Sequence, residues 1–416
     1  MMENNTQLKE MIRSMVIDVL QGQKQEAASS QPIKQAPRGQ VEPGVFDTVD
    51  EAIQAAKAAQ ARFEDCTLAT REKVIADIRA AMRPRVQELA QKTVEETGMG
   101  RVADKVLKLN LTLDKTPGVE DLVTECETGD NGMTLYELSA YGVIGAITPS
   151  TNPAETLICN TIGMLAAGNA VFFSVHPGAK HLSRLLVSEL NQIIAKSIGI
   201  ENLIVTLREP SIESAQEMML HPDVSLLVVT GGPGVVKQAL QSGKKVIGAG
   251  AGNPPAFVDE TADIKKAAQD IVLGASLDNN ILCIAEKSVV AMRQIEPQLV
   301  QEMVKAGCVL IENQQDIQHL VDLTVLPNGT PNKKFVGKNA SVILDAAHIP
   351  YNGDPRLIIM RTPKDHPFAV IEMLMPILPV VTVDSFDEGL DVCLMLEAGL
   401  HHTATMHSLN MERLNR

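Results

Sequence analysis

The chain has 416 residues, 45% of them hydrophobic and 21% charged, with a formal net charge of −14 at pH 7. That length exceeds one simple core and predicts two domains with an appendage, in an ordinary globular composition. The acidic balance argues against nucleic acid as the main partner. An anionic cofactor stays open, because backbone N–H groups can cradle phosphate on an acidic protein.

Leu8, Met11, Ile12, Met15, Val16, Val19 and Leu20 recur at spacings of three and four. They form one apolar stripe of an amphipathic helix within residues 1–20. Residues 21–43 are rich in Gln, Ser, Ala and Pro without a period, the pattern of a flexible linker. A short helix on such a tether cannot bury its stripe locally. It docks in a partner's groove, folds back on its own domain or helps an oligomer form. Glu3, Glu10 and Asp18 count against a mitochondrial presequence. No secretory signal is recognised, and no apolar stretch is long enough to span a bilayer. Cys66, Cys126, Cys159, Cys283, Cys308 and Cys393 lie far apart with no Cys-x-x-Cys pair, which suggests reduced thiols in a cytosolic compartment.

From Gly44 onward the pattern is α/β. Residues 48–97 are helical in period and end at Gly98. Strands are predicted at Gly142–Ile147, Ala170–Ser174, Leu203–Thr206, Val224–Val229 and Lys245–Gly248, with helices between the first four of them and after the fourth. Strand, turn and helix in repeat mean a parallel sheet wrapped by helices, whose ligands sit beyond the carboxyl ends of the strands. Thr230-Gly231-Gly232 falls at such an end. It reads either as a phosphate-facing turn before a helix N-terminus or as a plain tight turn. Gly248-Ala-Gly-Ala-Gly252-Asn253-Pro-Pro255 is a small-residue segment that lets a ligand come close.

Cys283 follows a polar Asp-Asn-Asn turn and lies in an apolar run, Ser276 to Ser288. A thiolate at an element end can attack an aldehyde and hold the acyl group as a thioester. The competing reading is a small core hydrophobe. His401, His402 and His407 lack partner ligands at metal spacing, so no metal is expected. Glu286-Lys287 reads as a structural pair.

Thr148-Pro-Ser-Thr-Asn152-Pro153, the strand ending in Thr230-Gly-Gly, the Gly248–Pro255 segment, Asn279-Asn-x-x-Cys283 and Glu372-x-x-Met-Pro376 occur in that order. Together they resemble the aldehyde dehydrogenase superfamily, specifically its CoA-acylating branch. Glu96-Thr-Gly-Met-Gly100, Thr116-Pro-Gly-Val-Glu120, Gly129-Asp-Asn-Gly132 and Leu400-His-His-Thr-Ala404 point to the propionaldehyde-oxidising enzymes of propanediol-utilisation microcompartments within that branch. The resemblance runs from about residue 44 to the end.

The resemblance implies an aldehyde dehydrogenase-like α/β fold. Residues 44–250 would form the NAD-binding domain with a Rossmann-type sheet, and 251–390 a second, catalytic α/β domain. Residues 391–416 would return to the cofactor domain. Cys283 is then the nucleophile that passes a hydride from the aldehyde to NAD and keeps the acyl group. Its oxyanion would be met by the cysteine N–H and an Asn side chain. The equivalent loop here is Pro149–Pro153, ambiguous by one position, and Asn152 is its able donor. Thr230, Gly231 and Gly232 would face the cofactor phosphates, and Glu372 the ribose diol. His176-Pro177 replaces the Lys-Pro of hydrolytic relatives, which favours NAD over NADP. Gly248 aligns with the water-activating Glu of those relatives. Without that base the thioester awaits another nucleophile, coenzyme A.

In this branch the N-terminal helix packs the enzyme into the shell. The implied partners are therefore a short-chain aldehyde, a shell protein and other copies in a homo-oligomer, in a cytoplasmic microcompartment lumen. Relatives also continue beyond the position equivalent to Arg416, so a C-terminal segment is expected to be missing here. Two alternatives stand beside propionaldehyde oxidation: an acetaldehyde-specific relative of ethanolamine utilisation, and a truncated, catalytically impaired cargo protein.

Overall fold

The computed structural model describes residues 42–416. The amphipathic helix expected over 1–20, and the linker expected over 21–43 up to residue 41, lie outside the described residues. Residues 48–97 form three helices, Val49–Glu64, Leu68–Met82 and Val86–Thr97. The Thr48 and Thr67 hydroxyls open the first two, each accepting the backbone N–H three residues on. Gly98 closes the third in the left-handed conformation at φ 65°.

Strand β1 (Val45–Phe46) precedes these helices. Beyond the helix Val102–Lys115, β2 (Glu125–Gly129) and β3 (Gly132–Tyr136) pair as an exposed antiparallel hairpin. Then come β4 (Val143–Thr148), β5 (Ala170–Val175), β6 (Ile204–Leu207), β7 (Val224–Thr230) and β8 (Lys245–Ala249). They join β1 in a six-stranded sheet of order β1-β6-β5-β4-β7-β8, and every pairing is parallel. The short apolar runs at β4, β5 and β6 are buried throughout, as a sheet covered by helices on both faces requires. Phe172, Phe173, Ile144 and Leu227 pack there against Ile53, Phe63, Leu157 and Leu186 of the helices.

A second all-parallel sheet follows: β9 (Pro255–Val258), β10 (Ser288–Met292), β11 (Cys308–Ile311), β12 (Leu357–Arg361), β13 (Ile377–Val383) and β14 (Thr405–His407). Its order is β11-β12-β13-β10-β9-β14. Leu357 and Ile359 of β12 enter one apolar core, while Ile358 and Met360 enter another on the opposite face.

One expectation is corrected here. Residues 391–416 do not return to the cofactor sheet. β14 pairs in parallel with β9, Met406 opposite Phe257, at the edge of the second sheet. The Arg413 guanidinium clasps Asp259 at 3.1 Å and Glu260 at 2.7 Å, which anchors the helix Met411–Asn415 beside that edge.

Candidate functional site

The order of the first sheet reverses between β4 and β7. From β4 the chain builds outward through β5 and β6, then crosses back to β7 and β8. A crevice at the carboxyl ends of such strands is where open α/β sheets take ligands. Thr148 ends β4, His176 follows β5 and Thr230 ends β7, so all three stand on this edge. Gly232 precedes the helix Pro233–Leu240, and a Cβ there would meet no atom within 4 Å. The Gly231 N–H donates to Ala249 of β8 at 3.1 Å, which fixes the turn. The His176 ring accepts the Gly178 N–H at 3.0 Å and caps the turn containing Pro177. Burial, then the nearby Lys333 charge, holds its pKa below the ordinary value.

The chain then runs from the carboxyl end of β8, through Gly250–Pro254, to the amino end of β9. Gly252 precedes β9, Cys283 precedes β10, Glu372 precedes β13 and His402 precedes β14. These four strands are neighbours in the order β13-β10-β9-β14, so their incoming loops converge on one edge. Gly252 is the meeting point. Its N–H donates to Glu372 Oε1 at 3.3 Å. A Cβ added to it would lie 2.9 Å from the Cys283 carbonyl oxygen and 2.9 Å from the His402 ring. Asn253 locks the segment by donating to Ala369 and Leu396 carbonyls, both at 2.8 Å.

The loop carrying Cys283 has an uncommon backbone. Asp278, Asn279 and Asn280 are all left-handed, with φ of 50°, 57° and 65°. Asp and Asn are the non-glycine residues that best tolerate this conformation. Each is held by its own bonds. Asn279 donates to Gly337 O and Asn339 Oδ1 at 2.8 Å, and Asn280 to Ala275 O at 2.7 Å and Glu286 O at 3.0 Å. Lys287 closes the loop from inside through Asn280 and Leu282. It makes no ion pair with Glu286, although the two charges act on each other.

Asp278 is fully buried and takes Lys105 at 2.9 Å, Lys108, and the Arg101 backbone N–H at 2.9 Å. Lys108 also donates to Asn152 Oδ1, so Asn152 is joined to the Cys283 loop through one ammonium and one carboxylate. Burial opposes the Asp278 anion, but Lys108 and Lys105 outweigh it and hold its pKa below the usual carboxylate range.

Burial raises the Cys283 thiol above its ordinary pKa, the Glu372 charge raises it further, and Lys287 partly offsets both. Burial also raises Glu372, against the pull of Lys287. Cys308 and Cys393, buried without charged neighbours, are pushed up to about 12. Cys283 is set apart from them by Lys287 and by its half-exposed position.

The expected residues therefore fall into two groups. Thr230, Gly231, Gly232, His176 and Pro177 line the carboxyl edge of the first sheet. Cys283 and Glu372 both flank Gly252 at the amino edge of the second, and Asn152 is linked through Lys108 and Asp278 to the loop that carries Cys283. Gly248 lies within β8, and a side chain there would meet Val236 at 3.2 Å. Sequence reading missed Lys105, Lys108 and Asp278 as a buried network. Lys108 sits three residues after Lys105 on one helical face, but a surface stripe has the same spacing. His402 enters the sequence reading as part of the Leu400–Ala404 motif and as a rejected metal ligand, with no place beside Cys283. Among the described residues, no three or more His, Cys, Asp or Glu side chains gather as a metal site requires.

The residues fit a dinucleotide. Gly232 leaves open space before a helix N-terminus, and Glu372 keeps one carboxylate oxygen unengaged by Gly252.

The aldehyde dehydrogenase family model matches residues 19–416. The chain is 48% identical over 413 residues to a CoA-propanoylating propanal dehydrogenase of Salmonella typhimurium, covering 99% of this chain and 86% of the relative. A solved propionaldehyde dehydrogenase of Rhodopseudomonas palustris, with bound CoA and an acylated cysteine, superposes with TM-score 0.88 at 47% identity, covering 90% of this chain and 86% of that one. A propionaldehyde dehydrogenase from the Clostridium phytofermentans fucose utilisation microcompartment gives TM-score 0.88 at 46% identity, with coverage of 90% and 86%. The chain belongs to the aldehyde dehydrogenase family.

Proposed function

We propose that this protein oxidises a short-chain aldehyde, propionaldehyde foremost, to its acyl-CoA with NAD and coenzyme A. The observation that carries this is Cys283 on a clasped loop beside Gly252 and Glu372, in a chain similar to an enzyme solved with CoA and an acylated cysteine. Residues 44–250 serve the cofactor and 251–390 the chemistry.

The Cys283 thiolate adds to the aldehyde carbonyl carbon, making a carbon–sulfur bond and an oxyanion. The Cys283 backbone N–H and the Asn152 amide supply donors for that oxyanion. When bound, NAD supplies the acceptor for the hydride that leaves the same carbon. Thr230, Gly231 and Gly232 offer the phosphates an open turn, and Glu372 offers the ribose diol its free oxygen. His176 in place of a longer cation supports NAD over NADP. Cys283 then holds the acyl group as a thioester. Gly248 stands where hydrolytic relatives have a carboxylate, so water is left unactivated and the coenzyme A thiol takes the acyl group, freeing Cys283.

The deciding measurement is NADH formation from propionaldehyde and NAD, with and without coenzyme A, in the wild type and in Cys283→Ala. One turnover without coenzyme A, and sustained turnover with it, is the expected result. Sustained NADH formation without coenzyme A, or an active Cys283→Ala variant, would sink the proposal.

The apolar-striped segment over residues 5–20 addresses the enzyme to a shell protein, and so to a microcompartment lumen in the cytoplasm. The microcompartment source of one similar structure supports this. The exposed Met133, Leu135 and Tyr136 on the β2–β3 hairpin support a homo-oligomer. Deleting residues 1–20 should keep the chemistry and release the enzyme from shells. Co-purification of the deleted form with shells would count against the address.

A further inference from the structure

Lys108 has no part in the chemistry above, yet it touches three elements at once. It lies on the helix Val102–Lys115, while Asn152 stands just before the helix Pro153–Ala166 without a side-chain cap bond and Asp278 opens the left-handed run before Cys283. An ammonium carries three N–H bonds and no acceptor. Two of those of Lys108 go to Asn152 Oδ1 and Asp278 Oδ2, and Glu155 Oε1 stands 3.3 Å from the ammonium as an ion pair without a hydrogen bond. Lys105 runs in parallel, joining Asp278 at 2.9 Å to the Thr151 carbonyl at 3.1 Å. The same two segments are thus tied together twice by buried cations.

A cation facing an amide selects its oxygen and turns its nitrogen away. One Asn152 N–H goes to Thr151 Oγ1 at 3.3 Å, which leaves the other unengaged by these neighbours. Desolvating such a network is costly, and breaking one member leaves its partners buried and unpaired. Burial opposes the Lys108 charge, but Glu155 and Asp278 outweigh it and hold its pKa above the ordinary value, so it remains a donor.

We propose that Lys108, braced by Asp278, is a positioning residue that aims the free Asn152 N–H at the oxyanion formed on Cys283. The inference rests on the reading of Cys283 as nucleophile and Asn152 as donor. Donor and nucleophile must act on one carbonyl, and the shared Lys108–Asp278 pair sets where each stands relative to the other. Small misplacements of such groups are expensive in rate.

A double-mutant cycle tests this: Asn152→Ala, Lys108→Met and both together. The readout is the NADH burst with NAD and propionaldehyde without coenzyme A, beside iodoacetamide alkylation of Cys283. Asn152→Ala should slow the burst by about 10²–10³-fold, the usual loss for one oxyanion donor. Lys108→Met should show a large part of that loss, and the double variant should be no slower than Asn152→Ala. Alkylation should hold its rate throughout. A wild-type burst in Lys108→Met, losses that multiply, or alkylation falling in step with the burst would overturn the proposal. A full-rate burst in Asn152→Ala would instead remove the donor reading itself, and the inference with it. If Lys108→Met fails to fold, Lys108→Met/Asp278→Asn cancels the buried charge and keeps a residue that tolerates the left-handed backbone. The same cycle with Asn152→Ala then decides.

Discussion

Lys287 encloses Asn280. Its ammonium donates to the Asn280 carbonyl oxygen at 2.7 Å and to the Asn280 amide oxygen at 2.6 Å, and then to the Leu282 carbonyl at 2.9 Å. A single buried cation thereby closes a ring around the turn that presents Cys283. Burial lowers its pKa to about 8, against the opposing pull of Glu372, Cys283 and Glu286.

Lys287→Met should loosen that turn. It leaves both Asn280 oxygens without their donor, while the Leu282 carbonyl keeps the Ala285 N–H at 3.2 Å, and a buried unsatisfied group costs about 1–3 kcal/mol. It also removes the cation that favours the Cys283 thiolate. Melting temperature should fall, and Cys283 alkylation should slow below about pH 8, where Lys287 carries its charge. An unchanged rate would show that Lys287 does not act on the thiol.

Glu372→Gln should move alkylation the other way. The Glu372 anion disfavours a second negative charge on Cys283, so a neutral amide lowers the thiol pKa. Below that pKa, alkylation at fixed pH should quicken, because a larger share of the thiol is ionised. NAD binding should weaken in the same variant, because one acceptor oxygen for the ribose diol is lost. Slower alkylation with unchanged NAD affinity would contradict both roles.

Gly252→Ala should impair catalysis more than folding. Its Cβ would press on the Cys283 carbonyl oxygen and the His402 ring, each at 2.9 Å. Backbone cannot give way as a flexible side-chain end does, so the Cys283 loop must shift. A displacement near 1 Å at reacting groups costs about 10²-fold in rate. Circular dichroism should stay native while NADH formation falls by that order. Wild-type kinetics would show that the loop has slack.

These tests bear on residues the sequence revealed unevenly. The strands around Val143–Thr148 and Ala170–Val175 were legible because fully buried parallel strands are continuous apolar runs between turn residues. The window around Cys283 offered two readings, nucleophile or core thiol, and only the resemblance chose between them; Glu372 came through the resemblance alone, since a lone Glu has no local pattern. The Asp278-Asn279-Asn280 run carried a usable signal, because three successive left-handed residues demand Asp, Asn or Gly. Lys105 and Lys108 carried none. Their burial depends on Asp278, about 170 residues away in sequence, and helical spacing says nothing of such a partner. The placement of β14 beside β9 was misjudged for a similar reason: a three-residue strand has no period, and its partner is chosen by packing.

Asp259 and Arg413 give the last prediction. The Asp259 carboxylate is fully buried and accepts from Thr261 N at 2.8 Å, Thr261 Oγ1 at 2.6 Å, Ser408 Oγ at 2.7 Å and Arg413 at 3.1 Å. Burial opposes its charge, but these donors outweigh it and hold its pKa below the usual carboxylate value. A carboxylate with a depressed folded pKa adds stability that is complete above its unfolded pKa, about 3.9. That stability drains away as pH falls through the folded value. Acid should therefore release Thr405–Arg416 from β9, read as faster amide exchange in that segment below about pH 4. Arg413→Ala removes one of the donors and raises the folded pKa, so the release should begin at higher pH and the melting temperature should drop by a few degrees at neutral pH. Exchange in Thr405–Arg416 that ignores both pH and Arg413→Ala would show that the edge is held by apolar packing of Met406 and Phe257 rather than by this carboxylate.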